Sequence, residues 1–159
     1  PPPGSPRPTS PLLALSPPPS YDAIFLTHTH HDHIACLDDF KQTTRNPPVF
    51  VHHLEGLVNC KTITEGFKHS CDSLSLEAVH THGHSIGGTT YLLERNGENI
   101  AVVGDAIFAG SMGKDFETPG LAQEKVRSEI LELPEDTLIC PGHGPLTTVG
   151  AERAHNPFF

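Results

Sequence analysis

Residues Phe25–Cys36 read FLTHTHHDHIAC. Four histidines and an aspartate fall within the six residues 28–33, directly after an apolar run. Three origins compete for that concentration of imidazole: a His-rich surface loop without a role, a closed structural metal site, or one part of an open catalytic site. The surrounding chain has to decide between them.

The apolar run Ala23–Thr27 reads as a short buried strand, which places the histidines where a strand gives way to a loop. The same event recurs three times downstream. The alternating stretch Ser73–His80 reads as a half-buried strand and runs into His80, His82 and His84. Thr89–Glu94 and Ile100–Val103 read as a hairpin about Asn96-Gly97, and its second strand ends at Asp105. The apolar run Leu138–Cys140 ends at His143. Strand ends are where a rigid scaffold gathers ligands from distant parts of a chain. A featureless surface loop does not produce that recurrence.

Other segments complete an alternation of strands and helices. Asp38–Thr44 reads as a short helix, Pro48–His53 as a strand, and Leu54–Cys60 as one or two helical turns. In Leu121–Leu133, Ala122, Val126, Ile130 and Leu133 share one helical face. The end, Thr148–Phe159, reads as a short terminal helix. The class is α/β, in the broad sense that includes α+β, with no internal repeat. Residues 1–20 hold more than half of the 16 prolines and read as a disordered, polyproline-like tail. Residues 21–159 read as the folded domain.

A chain of 159 residues holds one domain. Its formal net charge of −9 argues against nucleic acid or an anionic membrane surface as the main partner. No apolar run approaches the roughly 18 residues of a membrane span. The four cysteines are scattered, form no CxxC pair, and read as reduced thiols. Residues 11–15, PLLAL, are too short for the core of a secretion signal, so the expected location is cytoplasmic.

Residues two apart on an extended segment face the same side, so His28 and His30 can share one metal. Asp32 and His33, past the turn, can face a second position. Each position is then short of ligands, and His84, Asp105 and His143 can complete them, with the two oxygens of Asp105 able to bridge. This donor set is free of thiolate and mixes imidazole with carboxylate. It suits Zn²⁺, Fe²⁺ or Mn²⁺ and an open catalytic site more than a closed structural zinc.

HTHHDH (28–33), followed by GHS (83–85), GD (104–105) and PGHGP (141–145), resembles the metallo-β-lactamase superfamily. Within it, the segment GDAIFAGSMGK (104–114) and the ending PGHGPLTTVGAERAHNPFF are similar to single-domain relatives of glyoxalase II, the hydroxyacylglutathione hydrolases. The resemblance implies an αβ/βα sandwich with the site along one edge of two sheets. It implies one metal held by His28, His30 and His84, a second held by Asp32, His33 and His143, and Asp105 bridging both. His31 falls at the variable position of the motif and His82 where relatives have proline, so neither is expected to be a ligand.

The implied activity is hydrolysis of a thioester or related ester by a metal-bound hydroxide, with two divalent ions, zinc before iron or manganese. Asp32 and Asp105 are the expected catalytic carboxylates, Asp32 helping to manage the proton of the attacking water. Lys114 stands where relatives contact the glutathione part of the substrate, and Phe116 where some have tyrosine. The partner is then a small thioester or ester. Two other readings remain. One is a mononuclear-iron persulfide dioxygenase, although those relatives usually carry GRTDF where this chain has GKDFE. The other is a truncated metal-binding remnant without activity. Its motive is that strands usually precede the motif in the family, whereas prolines precede it here and cannot supply ladder hydrogen bonds. On that expectation the N-terminal part of the sandwich is incomplete, the strand at Ala23–Thr27 lies near an unprotected edge, and the chain self-associates there.

Overall fold

Along Val49–His52 one phenylalanine sits between two valines, and that alternation builds two cores at once. In a computed structural model, which describes residues 20–116 and 118–159, Val49 and Val51 are buried on one face of this strand. Phe50 packs into a different cluster on the other face. The expected proline-rich tail, except Ser20, lies outside the described residues.

The elements run β1 (Ile24–Phe25), α1 (His31–Ile34), α2 (Leu37–Thr43), β2 (Val49–His52), a 3₁₀ turn (His53–Glu55), β3 (Lys61–Ile63), β4 (Lys68–Cys71) and β5 (Leu74–His80). They continue with β6 (Thr89–Arg95), β7 (Glu98–Gly104), β8 (Ile107–Phe108), β9 (Ser111–Met112) and α3 (Leu121–Lys125). A wider helical turn (Val126–Ile130), β10 (Leu138–Pro141), β11 (Thr147–Thr148) and α4 (Val149–His155) complete the chain. One sheet has the order β1-β2-β3, all parallel; the other has the order β11-β10-β7-β6-β5-β4. β8 and β9 form a separate small hairpin.

Three clusters define four layers. Leu26, Val49 and Val51 pack with Ile34 and Leu37 of α1 and α2, outside the small sheet. Ile63, Leu76, Ala78 and Tyr91, with Phe25, Phe50 and Val102, fill the space between the sheets. Ala101, Val103, Val126, Ile130, Ile139 and Val149 join the large sheet to its outer helical layer. The two sheets are tied where β1 ends. Tyr91 Oη donates to the Leu26 carbonyl at 2.7 Å, and Thr89 N–H donates to the Thr27 carbonyl at 2.9 Å.

β5 and β7 both pair antiparallel with β6, and β10 pairs parallel with β7, so β5, β7 and β10 run the same way. Their C-terminal ends therefore meet at one edge of the sandwich, as the resemblance implies. Asn96 and Gly97 carry φ of 54° and 85°, the paired left-handed conformation of a tight hairpin turn, which fits the Asn-Gly dipeptide.

Several local expectations need correction. The histidine cluster is not wholly loop, because Asp32 and His33 lie in the one-turn helix α1. Leu54–Cys60 holds no further helical turn beyond Glu55, since Gly56 leaves it in the left-handed conformation. Two strands follow there, β3 and β4, whose polar, half-exposed residues give no clear alternation. The expected helix over Leu121–Leu133 is α3 plus the wider turn, where Leu131 N–H reaches the Val126 carbonyl. Its buried face is nevertheless the expected one: Ala122, Val126 and Ile130. Among the described residues β1 pairs only with β2, and a groove of about 400 Å³ lined by Tyr21, Phe25, Leu74, Tyr91 and Leu93 runs beside it. Among the described residues no helix is long and apolar enough to cross a membrane.

Candidate metal centre

The seven expected ligands converge from four strand ends. His28 and His30 follow β1, Asp32 and His33 lie in α1, His84 follows β5, Asp105 follows β7, and His143 follows β10. Their ligand atoms form three groups, each within 4.8 Å: His28, His30 and His84; His28, His33 and Asp105; and Asp32, His33 and His143. The first and third are the two sets that the resemblance assigns to two ions.

Asp105 lies between those sets. Its Oδ1 is 3.3 Å from His33 Nε2, and its Oδ2 is 3.4 Å from His84 Nε2 and 3.6 Å from His143 Nε2. His143 Nε2 is also 3.0 Å from Asp32 Oδ2. Asp32 is an exposed carboxylate held below its usual pKa range, first by its own backbone N–H and further by His33 and His143.

The residues present fit divalent metal ions. His28 Nε2, His33 Nε2 and Asp105 Oδ1 are buried without a hydrogen-bonding partner, an expensive state for polar atoms unless something else engages them. His84 Nε2 lies 3.1 Å from His30 Nδ1. Two nitrogens about 2.0 Å from one tetrahedral ion would be roughly 3.3 Å apart. His84 Nδ1–H donates to the Lys114 carbonyl at 2.9 Å, which puts the lone pair that can ligate a metal on Nε2. Burial, then the neighbouring His33, lowers the His28 pKa to about 4, so its imidazole stays neutral and ready to ligate.

Glycine shapes the cradle. A Cβ at Gly142 would stand 2.3 Å from Asp105 Oδ1 and 2.7 Å from His33 Cε1. The centre opens into a cleft of about 530 Å³ lined by His30, Asp32, His84, Ser85, Ile86, Asp105 and Phe116.

Of the two expected substrate-contacting residues, Phe116 lines the cleft and Lys114 lies beside it, outside the cleft lining. Phe116 is 59% exposed, with its ring 5.4 Å from that of His84. Lys114 Nζ lies 5.0 Å from the Phe116 ring centroid. Phe116 N–H donates to the Gly83 carbonyl at 2.9 Å, which pins this segment to the His84 loop. His31 is exposed and belongs to none of the three groups. His52, His80 and His82 form a separate stack, with successive ring centroids 4.1 and 4.4 Å apart.

Sequence reasoning passed over Glu55, whose carboxylate joins two of the ligand-bearing loops. Neither spacing nor periodicity marks it, because its partners are 26 to 32 residues away.

A family model described as the metallo-beta-lactamase superfamily matches residues 3–59. A probable metallo-hydrolase of Streptococcus pyogenes serotype M6 is 32% identical over 86% of this chain and 70% of its own length. The hydroxyacylglutathione hydrolase GloC of Haemophilus influenzae is 28% identical over 85% of this chain and 74% of its own. Among solved structures, BLEG-1, a B3 metallo-beta-lactamase, superposes with TM-score 0.72 at 32% identity, covering 86% of this chain and 76% of that one. TTHA1623 in a di-iron-bound form gives TM-score 0.72 at 27% identity, covering 87% and 77%. Converging histidines and carboxylates at the edge of a two-sheet sandwich, together with these likenesses, show that the chain belongs to the metallo-beta-lactamase superfamily, whose members are in general metal-dependent hydrolases.

Proposed function

We propose that the chain is a binuclear metal-dependent hydrolase of thioesters or related esters, of the hydroxyacylglutathione hydrolase kind. One observation carries this reading: Asp105 directs its two oxygens at different histidines, Oδ1 at His33 and Oδ2 at His84 and His143. A carboxylate so placed suits two ions rather than one. The di-iron form of TTHA1623 and the activity named for GloC support the same reading.

His28, His30 and His84 would hold one ion and Asp32, His33 and His143 the other, with Asp105 shared. Divalent ions bound there supply Lewis acidity toward a carbonyl and bring the pKa of water from 15.7 to about 7. The protein's own groups do the rest. Asp32, exposed toward the cleft and ionised, is placed to hold the proton released from the attacking water. Phe116 and Ile86, both exposed at the cleft, give the acyl group an apolar wall. The Lys114 ammonium offers a point charge to an anionic thiol-bearing half of the substrate. No serine or cysteine nucleophile is required.

The test is a substrate panel with the metal-loaded protein: lactoylglutathione, simple esters and lactones. Turnover of lactoylglutathione above that of the neutral esters supports the reading. Oxygen consumption with one iron per chain and no hydrolysis overturns it.

A further inference from the structure

The three histidines of the first group come from two loops that share no strand pairing. His28 and His30 follow β1 in the small sheet, while His84 follows β5 in the large one. For three imidazoles to meet one ion, the relative position of those loops must be fixed to a fraction of an ångström. Before the ion arrives the ligands offer only one contact across the gap, His84 Nε2 with His30 Nδ1 at 3.1 Å.

Glu55 does stand between the loops. It closes the 3₁₀ turn after β2, and Gly56, with φ of 66°, carries the chain away from it. Its Oε2 accepts the Thr29 backbone N–H at 2.8 Å and the Thr29 hydroxyl at 2.5 Å. Its Oε1 accepts the Gly87 backbone N–H at 2.9 Å and the Ser85 hydroxyl. Thr29 lies between His28 and His30, and Ser85 follows His84. One carboxylate therefore takes four donors, two from each ligand-bearing loop and one loop on each oxygen.

The second observation is steric. A Cβ at Gly87 would stand 2.6 Å from Glu55 Cγ, so the His84 loop closes on this side chain only because residue 87 is glycine. Burial alone would push the Glu55 carboxyl toward its neutral form, but the hydrogen bonds from Ser85, Thr29 and Gly87 outweigh it and hold its pKa below the usual value.

We infer that Glu55 is a positioning residue for the first metal site: its carboxylate clamps the Thr29 and Ser85–Gly87 loops together so that His28, His30 and His84 are in register before metal binds. The hydrogen bonds to Glu55 come from Thr29, Ser85 and Gly87, the neighbours of the ligands, so it acts through the loops that carry them. The inference rests on the metal-centre reading above.

The chemistry of the clamp predicts what replaces it. In Glu55→Gln the amide keeps the size of the side chain but presents one oxygen and one NH₂. Whichever way that amide turned, its NH₂ would face either the Thr29 or the Gly87 backbone N–H, and one loop would be released. Glu55→Gln should therefore fail almost as badly as Glu55→Ala, although it is nearly isosteric. Removing partners that orient metal ligands typically costs 10- to 100-fold in metal affinity.

The experiment is a Co²⁺ titration of metal-free wild type, Glu55→Gln, Glu55→Ala and Ser85→Ala, followed by ligand-field absorbance. It is paired with amide hydrogen exchange of the metal-free proteins. The expected result is a roughly 10- to 100-fold weaker first-site affinity for both Glu55 variants, with the Asp32, His33 and His143 site unchanged. Ser85→Ala, which keeps both backbone ties, should weaken it less. Amide exchange at Thr29 or Gly87 should accelerate while the β5–β7 amides stay protected. Unchanged first-site affinity in Glu55→Gln, or equal loss at both sites, overturns the proposal. Failure of the wild type to bind Co²⁺ at all overturns the metal-centre reading and the proposal together. Normal metal binding without thioester hydrolysis overturns only the proposed function.

Discussion

His33 Nε2 and Asp105 Oδ1 lie 3.3 Å apart, both buried, and no hydrogen bond forms between them or to any other group. A donor and an acceptor that close are ordinarily aligned with each other. Left unbonded at that distance, the pair is spaced as two ligands of a common third atom would be.

Asp105 is accordingly the most sensitive single position. Asp105→Asn keeps the shape but replaces one oxygen and removes the charge that faces His33, His84 and His143. Metal content should fall toward one ion per chain, and turnover by at least about 10²-fold, the scale of losing a major electrostatic element. Elemental analysis alongside the hydrolysis assay checks it. His31→Ala is the control and should retain full metal content.

Gly142→Ala separates the centre from the fold. The added methyl would meet Asp105 Oδ1 and the His33 ring, yet residue 142 is on the exposed β10–β11 connection and φ there is not left-handed. Metal affinity should drop by about 10-fold or more, as for other changes that displace ligands. The melting temperature of the metal-free protein should stay within a few degrees of wild type. Unaltered metal binding would show that the cradle has room to spare.

Lys114 has two separable parts. Its backbone carbonyl orients His84, and its exposed side chain faces solvent beside Phe116. Lys114→Ala keeps the first and removes the second. It should raise KM for lactoylglutathione and leave a small neutral ester nearly unaffected. Equal effects on both substrates would place the ammonium outside substrate recognition.

The metal-free protein should lose stability as pH falls below neutrality. Burial, then the stacked His80, lowers the His52 pKa from 6.5 to about 4, and burial lowers that of His80 as well. Both are neutral in the fold and take up protons more readily when unfolded. The His52 contribution is present in full above pH 6.5 and is lost as pH falls toward 4, and that of His80 is lost in the same direction. For His52 the loss is on the order of 3 kcal/mol. Urea unfolding at pH 7.5, 6 and 5 measures it, and His52→Gln should flatten the profile.

The site was more legible in the sequence than the fold that carries it. Residues able to ligate announce themselves by type at strand ends: the four apolar runs collect the seven that the structure brings together, along with His31, His80 and His82, which the resemblance sets aside. β3 and β4 were hidden because Lys61, Thr62, Lys68 and Ser70 are exposed and leave no alternating pattern. The break in the helix after Lys125 was hidden because the same buried face continues through Val126 and Ile130. Glu55 was hidden for a third reason. A lone carboxylate in a polar turn looks like any solvated side chain until the two distant loops that donate to it are folded around it.

In the proposed mechanism two ions act together. The most direct measurement is to titrate the metal-free protein with Zn²⁺ or Mn²⁺ while following thioester hydrolysis. Activity should rise to a break at two equivalents per chain, and Asp105→Asn should abolish this break. Full activity at one equivalent would contradict the two-ion mechanism.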